Sequence, residues 1–384
     1  MSKWGPLEER YTTRRSRKIL ALDGGGIRGV ITLQFLAELE TKLKEKLGRG
    51  DDFRLSDFYD YFGGTSTGAI IAAGLSIGMR VQELLDFYTS KGKDMFDKNF
   101  LFKQWKALYE SGPLLEMLKQ TFGGETDMDM ANGKFRSLLT VVTMNRSTDS
   151  PWPISNNPDA HYNDPARPDR NSKIKLFQLV RASTAAPVYF PPETLQWDPD
   201  DPSKTFVFVD GGVTPYNNPA FLLYRMATQP AYNLNWETGE DKLLITSVGT
   251  GAAPSTGEYH NLVGSLKGLP SNLMYAMQVD QDINCRTVGR CSFGAPIDKE
   301  LHDMIPMDKD GHLLPFSQPT DRHFLYMRYN ADLSQEGLNK LELYNISADH
   351  VSEMDSVKYI GELQEVGKAA AARQVSLDHF GSFV

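Results

Sequence analysis

Short apolar runs alternate along the chain with longer stretches whose apolar residues recur at helical spacing. Residues 17–22, 138–143 and 206–209 have the length and composition of buried strands. A helical pattern follows the first of these runs, and the small apolar residues 69–73 predict another helix. Strands that alternate with helices predict an α/β fold with a mainly parallel central sheet covered by helices.

Two regions depart from this alternation. Residues 145–172 are rich in Pro, Asn, Asp and Arg and predict a long irregular excursion. Residues 253–384 form a C-terminal extension that ends in a helical pattern, whose apolar positions lie on one face: Met354, Val357, Ile360, Leu363 and Val366. We interpret this stripe as a packing surface rather than a membrane surface.

Glycines bracket a serine where a predicted strand meets a predicted helix. The aromatic residues within 58–62 predict the strand, and Gly64-Thr65-Ser66-Thr67-Gly68 follows it. This is the G-x-S-x-G pattern of a nucleophile elbow, a sharp turn that exposes the serine hydroxyl and leaves no room for side chains at its flanks. Taken alone, the pattern also fits an ordinary glycine-bounded turn.

A glycine-rich loop follows the first predicted strand. Its sequence is Asp23-Gly24-Gly25-Gly26-Ile27-Arg28-Gly29, and successive glycines leave backbone N–H groups free to converge on an anion. The same glycines also satisfy G-x-G-x-x-G, the dinucleotide fingerprint. That fingerprint requires an acidic residue at the end of a second strand about 20 residues later. Residues 43–48 are instead the tail of a charged helix, which disfavours the nucleotide interpretation.

A carboxylate completes the candidate chemistry. Asp210-Gly211-Gly212 directly follows the predicted strand at 206–209, at the strand end where α/β sheets place their functional groups. A serine, an anion cradle and a carboxylate together indicate acyl transfer with a nucleophile, an oxyanion hole and a base.

These three motifs, in this order, resemble those of the patatin-like phospholipases. The resemblance covers residues 17–252 and also includes the segments 182–191, 217–219 and 247–251. It implies a three-layer patatin-like fold with residues 17–252 as the catalytic core. It further implies a Ser66–Asp210 dyad, with Gly24, Gly25 and Gly26 as oxyanion donors and Arg28 at the basic position of the first motif.

A Ser–Asp dyad requires the aspartate to act as the base. An aspartate with an ordinary pKa of about 3.9 accepts a proton from serine poorly, so burial and a short hydrogen bond must compensate. A histidine as third member is the alternative, and six follow Asp210: His260, His302, His312, His323, His350 and His379. None has the glycine-rich, strand-end context of Ser66 or Asp210, which favours the dyad.

Composition narrows the class of protein. The 384 residues are 40% hydrophobic and carry a net charge of −8 at pH 7, which argues against a nucleic-acid partner. Cys285 and Cys291 are too few for a disulfide framework or a four-ligand metal site. We find no signal peptide and no run of about 20 apolar residues that could span a bilayer. The sequence therefore predicts a cytoplasmic enzyme with no metal and no cofactor.

A lipid substrate requires peripheral contact with membrane phospholipids. Residues 93–106 mix large apolar side chains with four lysines, a combination suited to the membrane interface and to a lid over Ser66. A helix packed on the core, with its lysines in water, fits the same segment equally well.

A closer resemblance is to bacterial patatin-like effectors of antiphage defence that a cyclic dinucleotide switches on. It implies an enzyme that degrades its own cell's membrane from the inner face, with residues 253–384 as regulatory surface. The candidate donors to the activator's phosphates are Arg286, Arg290, Arg322 and Arg328, although a solvated or packing role is favoured for each of them. A constitutive lysophospholipase or lipid acyl hydrolase, and a nucleotide-binding or catalytically silent binding module, are the alternatives. Homo-oligomerisation is left open.

Overall fold

The computed structural model describes residues 2–96, 113–187, 190–198, 200–252, 262–297, 321–355 and 357–384. The strands are β1 (Arg17–Leu22), β2 (Tyr61–Thr65), β3 (Leu138–Asn145), β4 (Ser150–Ser155), β5 (Glu193–Gln196), β6 (Thr205–Asp210), β7 (Leu243–Val248), β8 (Arg290–Phe293) and β9 (Leu325–Tyr329). The α-helices are α1 (Glu8–Thr12), α2 (Gly29–Lys46), α3 (Leu55–Phe58), α4 (Thr67–Ser76), α5 (Val81–Phe96), α6 (Pro113–Phe122), α7 (Leu176–Ser183), α8 (Ala220–Thr228), α9 (Leu262–Val288), α10 (Gln335–Lys340), α11 (Ala348–Ser352) and α12 (Ile360–Gln374).

All of these strands join one mixed sheet. Its order is β5-β6-β3-β2-β1-β7-β9-β8, and β4 pairs with β3 outside this path. Neighbours from β3 to β8 are parallel, whereas β4 and β6 run antiparallel to β3, and β5 runs antiparallel to β6. The central strands β2, β7 and β9 are buried along their whole length, as expected for a sheet covered on both faces. The predicted mainly parallel α/β sheet is therefore confirmed.

Helices cover both faces of this sheet. Gly63 and Gly64 are consecutive residues of β2 and so face opposite sides. A Cβ on Gly63 would lie 2.5 Å from Leu223 of α8, and a Cβ on Gly64 would lie 2.1 Å from the carbonyl oxygen of Gly68 in α4. Helices α2, α5 and α12 pack on the side of α4, and α9 packs on α8. The result is the three-layer arrangement that the resemblance implied.

Two strands meet end to end along one edge of β3. Residues 140–142 of β3 pair with both β2 and β4, and residues 143–145 pair with both β4 and β6. Because a strand has only two edges, β2 and β6 occupy the same edge. One runs parallel to β3 and the other antiparallel, so their C-terminal ends face each other.

The strand predicted at 58–62 begins later than expected. Leu55–Phe58 form a short helix, in which the side chain of Asp57 accepts the N–H of Arg54 at 2.9 Å. The N–H of Tyr59 then donates to the carbonyl of Leu55, and the strand starts at Tyr61. A local capping contact overrides the β preference of the aromatic residues here.

The excursion predicted at 145–172 contains a strand. Ser150–Ser155 pair with β3. Pro151 and Pro153 in this strand have no backbone N–H and so cannot donate to a neighbouring strand. These prolines are two residues apart, so their nitrogens point to the same side of β4. The strand therefore tolerates them on the side away from β3.

The C-terminal extension contributes to the sheet itself. Strands β8 and β9 form the sheet edge beyond β7, and α12 packs against α2. Leu363 and Val366 of the predicted apolar stripe are fully buried, in agreement with a packing role. Most of the candidate lid at 93–106 lies outside the described residues.

Candidate active site

The G-x-S-x-G sequence forms a strained turn between β2 and α4. Ser66 has φ 55° and ψ −123°, a conformation that side-chain-bearing residues rarely adopt. A Cβ on Gly68 would lie 2.3 Å from the carbonyl oxygen of Leu22, so the close approach of β1 requires glycine there. A Cβ on Gly64 would lie 2.1 Å from the carbonyl oxygen of Gly68, so the first glycine of the motif is required for the same reason.

Ser66 and Asp210 are in direct contact. The Ser66 hydroxyl donates to Asp210 Oδ2 at 2.6 Å, although the two residues are 144 positions apart. The other carboxylate oxygen accepts the N–H of Gly212 at 2.6 Å. Asp210 is 4% exposed, whereas Ser66 is half-buried. The arrangement holds one carboxylate oxygen on the hydroxyl and fixes the other through the D-G-G turn.

Burial makes Asp210 a stronger base than a free aspartate. Desolvation raises the pKa of its carboxyl to about 6, against the opposing effects of the Ser66 and Gly212 hydrogen bonds and of Arg181. A carboxylate with this pKa accepts a proton more readily than one near pH 4 and is still ionised at neutral pH.

The glycine-rich loop lies against the serine. A Cβ on Gly24 would be 3.2 Å from Ser66 Cβ and 2.4 Å from Asn217 Oδ1. The N–H of Gly24 donates to the Asn217 carbonyl at 3.1 Å. Among the described residues, the N–H groups of Gly25 and Gly26 have no such acceptor. Of the three predicted oxyanion donors, Gly24 is therefore already engaged.

Arg28 of the glycine-rich loop contacts the C-terminal extension. Its guanidinium donates to the carbonyl of Ser352 at 3.0 Å, at the end of α11. Burial lowers the pKa of Arg28 to about 10, and Asp23 opposes this effect. The contact ties the glycine-rich loop to the C-terminal extension.

One site residue was not singled out from the sequence. Ser183, at the end of α7, accepts the N–H of Ser66 at 2.9 Å and donates to the carbonyl of Val142 at 2.6 Å. This bridge fixes the backbone of Ser66 to β3. The signal available was the segment 182–191, whose resemblance to the family included Ser183 without indicating its role.

The described histidines after Asp210 are bound to other groups. His323 contacts the hydroxyl of Tyr224, His350 contacts Glu362, and His379 contacts the hydroxyl of Tyr329. His260, His302 and His312 lie outside the described residues.

The four arginines considered for the activator's phosphates are also engaged. Arg328 pairs with Asp23, Arg286 with Asp282 and Arg290 with Glu240, and Arg322 donates to the carbonyl of Thr287. Arg286 and Arg328 are almost completely buried. The structure thus gives both of them packing roles, which is the alternative that the sequence favours for each of these arginines.

Among the residues that the structure describes, no cluster of three or more His, Cys, Asp or Glu side chains could hold a metal ion. No helix within the same ranges is both long enough and apolar enough to cross a bilayer.

The chain is similar to two bacterial phospholipases over about half of its length. A bacterial relative, the cGAMP-activated phospholipase of Escherichia coli, is 33% identical over 212 residues, which are 53% of this chain and 54% of the relative. The cGAMP-activated phospholipase of Vibrio cholerae is 31% identical over 218 residues, 53% of this chain and 56% of the relative. The chain thus matches about half the length of these curated relatives.

A plant relative matches a larger share of the chain at lower identity. Patatin-15 of Solanum tuberosum is 28% identical over 276 residues, 68% of this chain and 67% of the relative. The human GIVD cytosolic phospholipase A2 structure has a TM-score of 0.46 at 12% identity, over 96% of this chain and 60% of that one. The model of the patatin-like phospholipase family matches residues 20–224, more than half of the sequence. The chain therefore belongs to the patatin-like phospholipase family.

Proposed function

We propose that this protein hydrolyses phospholipid acyl esters, with Ser66 as nucleophile and Asp210 as base. The observation that carries the proposal is the 2.6 Å hydrogen bond from Ser66 Oγ to Asp210 Oδ2, at a strained turn beside the glycine-rich loop. We assign the N–H groups of Gly25 and Gly26, which have no acceptor among the described residues, as the oxyanion donors.

The reaction proceeds in two halves. Ser66 Oγ attacks the ester carbonyl carbon while its proton moves to Asp210 Oδ2, and the loop amides stabilise the tetrahedral oxyanion. Collapse of this intermediate breaks the ester bond, and the leaving alcohol takes the proton from Asp210. Water then attacks the acyl-enzyme and gives one proton to Asp210. Ser66 recovers that proton as the fatty acid leaves.

The amides take the role that a cation has in metal-dependent lipases. They polarise the ester carbonyl directly, and no proton transfer in the cycle involves a metal ligand. We therefore assign the enzyme to the calcium-independent phospholipase A type.

Activation by a cyclic dinucleotide is the finer part of the proposal. Its support is the similarity to the two cGAMP-activated phospholipases, over about half of their length. By this analogy the enzyme would be cytoplasmic, would contact the inner face of the membrane transiently, and would degrade its phospholipids in antiphage defence.

A constitutive acyl hydrolase is the second candidate. It is favoured by the four arginines, whose guanidinium groups are bound to protein groups rather than placed to receive phosphates. A catalytically silent binding module is disfavoured, because the Ser66 hydroxyl donates to Asp210 and the Gly25 and Gly26 N–H groups have no acceptor among the described residues.

Fatty-acid release from vesicles tests the function. Vesicles of phosphatidylethanolamine and phosphatidylglycerol are incubated with wild type or Ser66→Ala, with and without cGAMP and in the presence of EDTA, and the products are measured by mass spectrometry. We expect free fatty acid and lysophospholipid from wild type only. Absence of both products under every condition would contradict the hydrolase, and activity that requires added calcium would contradict the assigned type.

A further inference from the structure

A buried ion pair anchors the start of the glycine-rich loop. Asp23 directly follows β1 and is fully buried, and Arg328 of β9 is 5% exposed. The guanidinium grips both carboxylate oxygens, with Nη1 at 2.8 Å from Oδ1 and Nη2 at 2.5 Å from Oδ2. Two parallel hydrogen bonds fix the orientation of the carboxylate as well as its position.

The same guanidinium reaches the loop that follows Asp210. Strand β7 lies between β1 and β9, and its Ser247 is in register with Arg328. Arg328 Nη1 donates to Ser247 Oγ at 2.7 Å, and Ser247 Oγ donates to Asn218 Oδ1 at 3.2 Å. Asn218 lies eight positions after Asp210 in the sequence, next to the Asn217 carbonyl that binds the N–H of Gly24. One guanidinium thus connects the loop with the oxyanion donors to the loop with the base.

The other end of the glycine-rich loop is anchored as well. The N–H of Ile27 donates to the carbonyl of Met354 at 2.9 Å, and a Cβ on Gly26 would lie 2.2 Å from that same oxygen. Both Arg328 and Met354 lie outside residues 20–224, the segment that the family model matches. The C-terminal region therefore holds the loop on both sides of Gly25 and Gly26.

We propose that Arg328 is a positioning residue for the hydrolase. It orients the backbone of the glycine-rich loop through Asp23, so that the N–H groups of Gly25 and Gly26 meet the oxyanion. This inference rests on the proposed function. Oxyanion donors act at about 2.7–3.1 Å, and a displacement of about 1 Å can cost roughly 10²-fold in rate. Glycines have no side chains to hold the loop, so its placement depends on its anchors.

Lysine is the informative replacement at position 328. Removal of the positive charge would leave Asp23 buried without a partner and could unfold the protein. Arg328→Lys keeps the charge but replaces the planar fork with a single ammonium group, which cannot reproduce its geometry. Arg286→Lys is the matched control. Arg286 is equally buried and grips both oxygens of Asp282 at 2.8 Å, and it also donates to the carbonyl of Ala295.

Steady-state kinetics on a soluble short-chain p-nitrophenyl ester separate positioning from packing. We expect Arg328→Lys to lower kcat about 10²-fold with KM within about twofold, because oxyanion contacts form only in the transition state. Arg286→Lys should stay within about threefold of wild type in both constants. Equal activity loss in the two variants, or a change in KM alone, would overturn the inference.

Hydrogen–deuterium exchange of the peptide 19–29 provides a readout that does not depend on the reaction. We expect faster exchange in Arg328→Lys and wild-type exchange in Arg286→Lys, with both variants folded by circular dichroism. Unchanged exchange in Arg328→Lys would overturn the positioning role. A wild-type protein that hydrolyses no ester, while this exchange difference is present, would contradict the proposed function and leave the anchor itself supported.

Discussion

Ser66 directly follows β2, and Asp210 is the last residue of β6. These two strands approach each other along one edge of β3. Thr65, the last residue of β2, pairs with Val142, and Asp210, the last residue of β6, pairs with the adjacent Thr143. The sheet register therefore brings Ser66 and the Asp210 carboxylate together, and a hydrogen bond joins them directly. Backbone pairing of β2 and β6 with β3 therefore determines the relative position of Ser66 and Asp210.

Ser66→Ala is expected to abolish covalent labelling and turnover. A fluorophosphonate probe should label wild type at Ser66, and the variant should lose roughly 10⁴-fold or more in kcat, as when other serine hydrolases lose the nucleophile. Ser76→Ala is the control, since Ser76 is a buried serine at the end of α4, the helix that follows Ser66, and donates to the Ala73 carbonyl. Labelling of Ser66→Ala at the wild-type rate would place the nucleophile elsewhere.

Local sequence signals identified much of this site. Glycines stand within a few residues of Asp23, Ser66 and Asp210. At each of these places a side chain would clash with neighbouring atoms, which gives the glycine pattern a steric cause. Such patterns can be interpreted without knowledge of the rest of the fold.

Long-range contacts could not be predicted in this way. Arg328 and Asp23 are 305 positions apart, and only the sheet order that places β9 two strands from β1 brings them together. The Gly24 N–H meets the Asn217 carbonyl for the same reason, so its engagement was not evident from the loop sequence. An arginine in a sequence likewise does not reveal whether its partner is a ligand or a distant carboxylate.

Asp210→Asn is expected to fold and to hydrolyse esters at close to the background rate. The amide can satisfy Ser66 and Gly212 but cannot accept the serine proton. In wild type, activity should rise with pH through an inflection near 6, because the carboxylate must be ionised to act as base. A kcat/KM profile between pH 4.5 and 8 measures this, and a profile without an inflection in that range would contradict the role of Asp210.

The same substitution is expected to stabilise the protein at neutral pH. The pKa of Asp210 is raised in the folded state, so its contribution to stability is present below about pH 4 and is lost as pH rises through about 6. Asp210→Asn should therefore increase the free energy of unfolding by up to about 3 kcal/mol above pH 7 and by little near pH 4. Urea denaturation at pH 4 and pH 8 measures the difference.

Asp60→Asn is the matched control for this stability effect. Asp60 is also fully buried, but it pairs with Arg10 and Arg15 before β2, at the opposite end of that strand from Ser66. Loss of its charge should destabilise the protein at pH 8. Destabilisation of the same size by Asp210→Asn would show that its ionised carboxylate is not strained by burial.

Single replacement of the six later histidines by Gln is expected to spare most activity. His323, His350 and His379 contact Tyr224, Glu362 and Tyr329 rather than the Ser66–Asp210 pair. The other three variants, at His260, His302 and His312, test the remaining triad candidates. The measurement is kcat on a soluble ester, with folding checked by circular dichroism. A loss in any folded variant as deep as that of Asp210→Asn would replace the dyad with a triad.

Gly25→Ala is expected to lower kcat by about 10²–10³-fold, the cost of one lost oxyanion donor. The new Cβ would lie 2.1 Å from Thr250 Oγ1, in a side chain that is fully buried, so the loop must move. Gly361→Ala is the control, because a Cβ at that position of α12 has no neighbour within 4 Å. Ester hydrolysis by both variants measures the effect, and wild-type kcat in folded Gly25→Ala would contradict the expected dependence of turnover on the position of this loop.

Cyclic-dinucleotide activation is expected to be steep if the enzyme shares the regulation of its bacterial relatives. An enzyme that is about 1% active alone and about 99% active with ligand requires an activator that binds the active state about 10⁴-fold more tightly, or about 5.5 kcal/mol. Purified protein should then be nearly silent on phospholipid vesicles and respond to cGAMP at low concentration. Arg286→Lys should respond as wild type does, since its guanidinium is committed to Asp282. Full activity without nucleotide, unchanged across a panel of cyclic dinucleotides, would leave the constitutive acyl hydrolase, because an enzyme already in its active state has no inactive population for a ligand to shift.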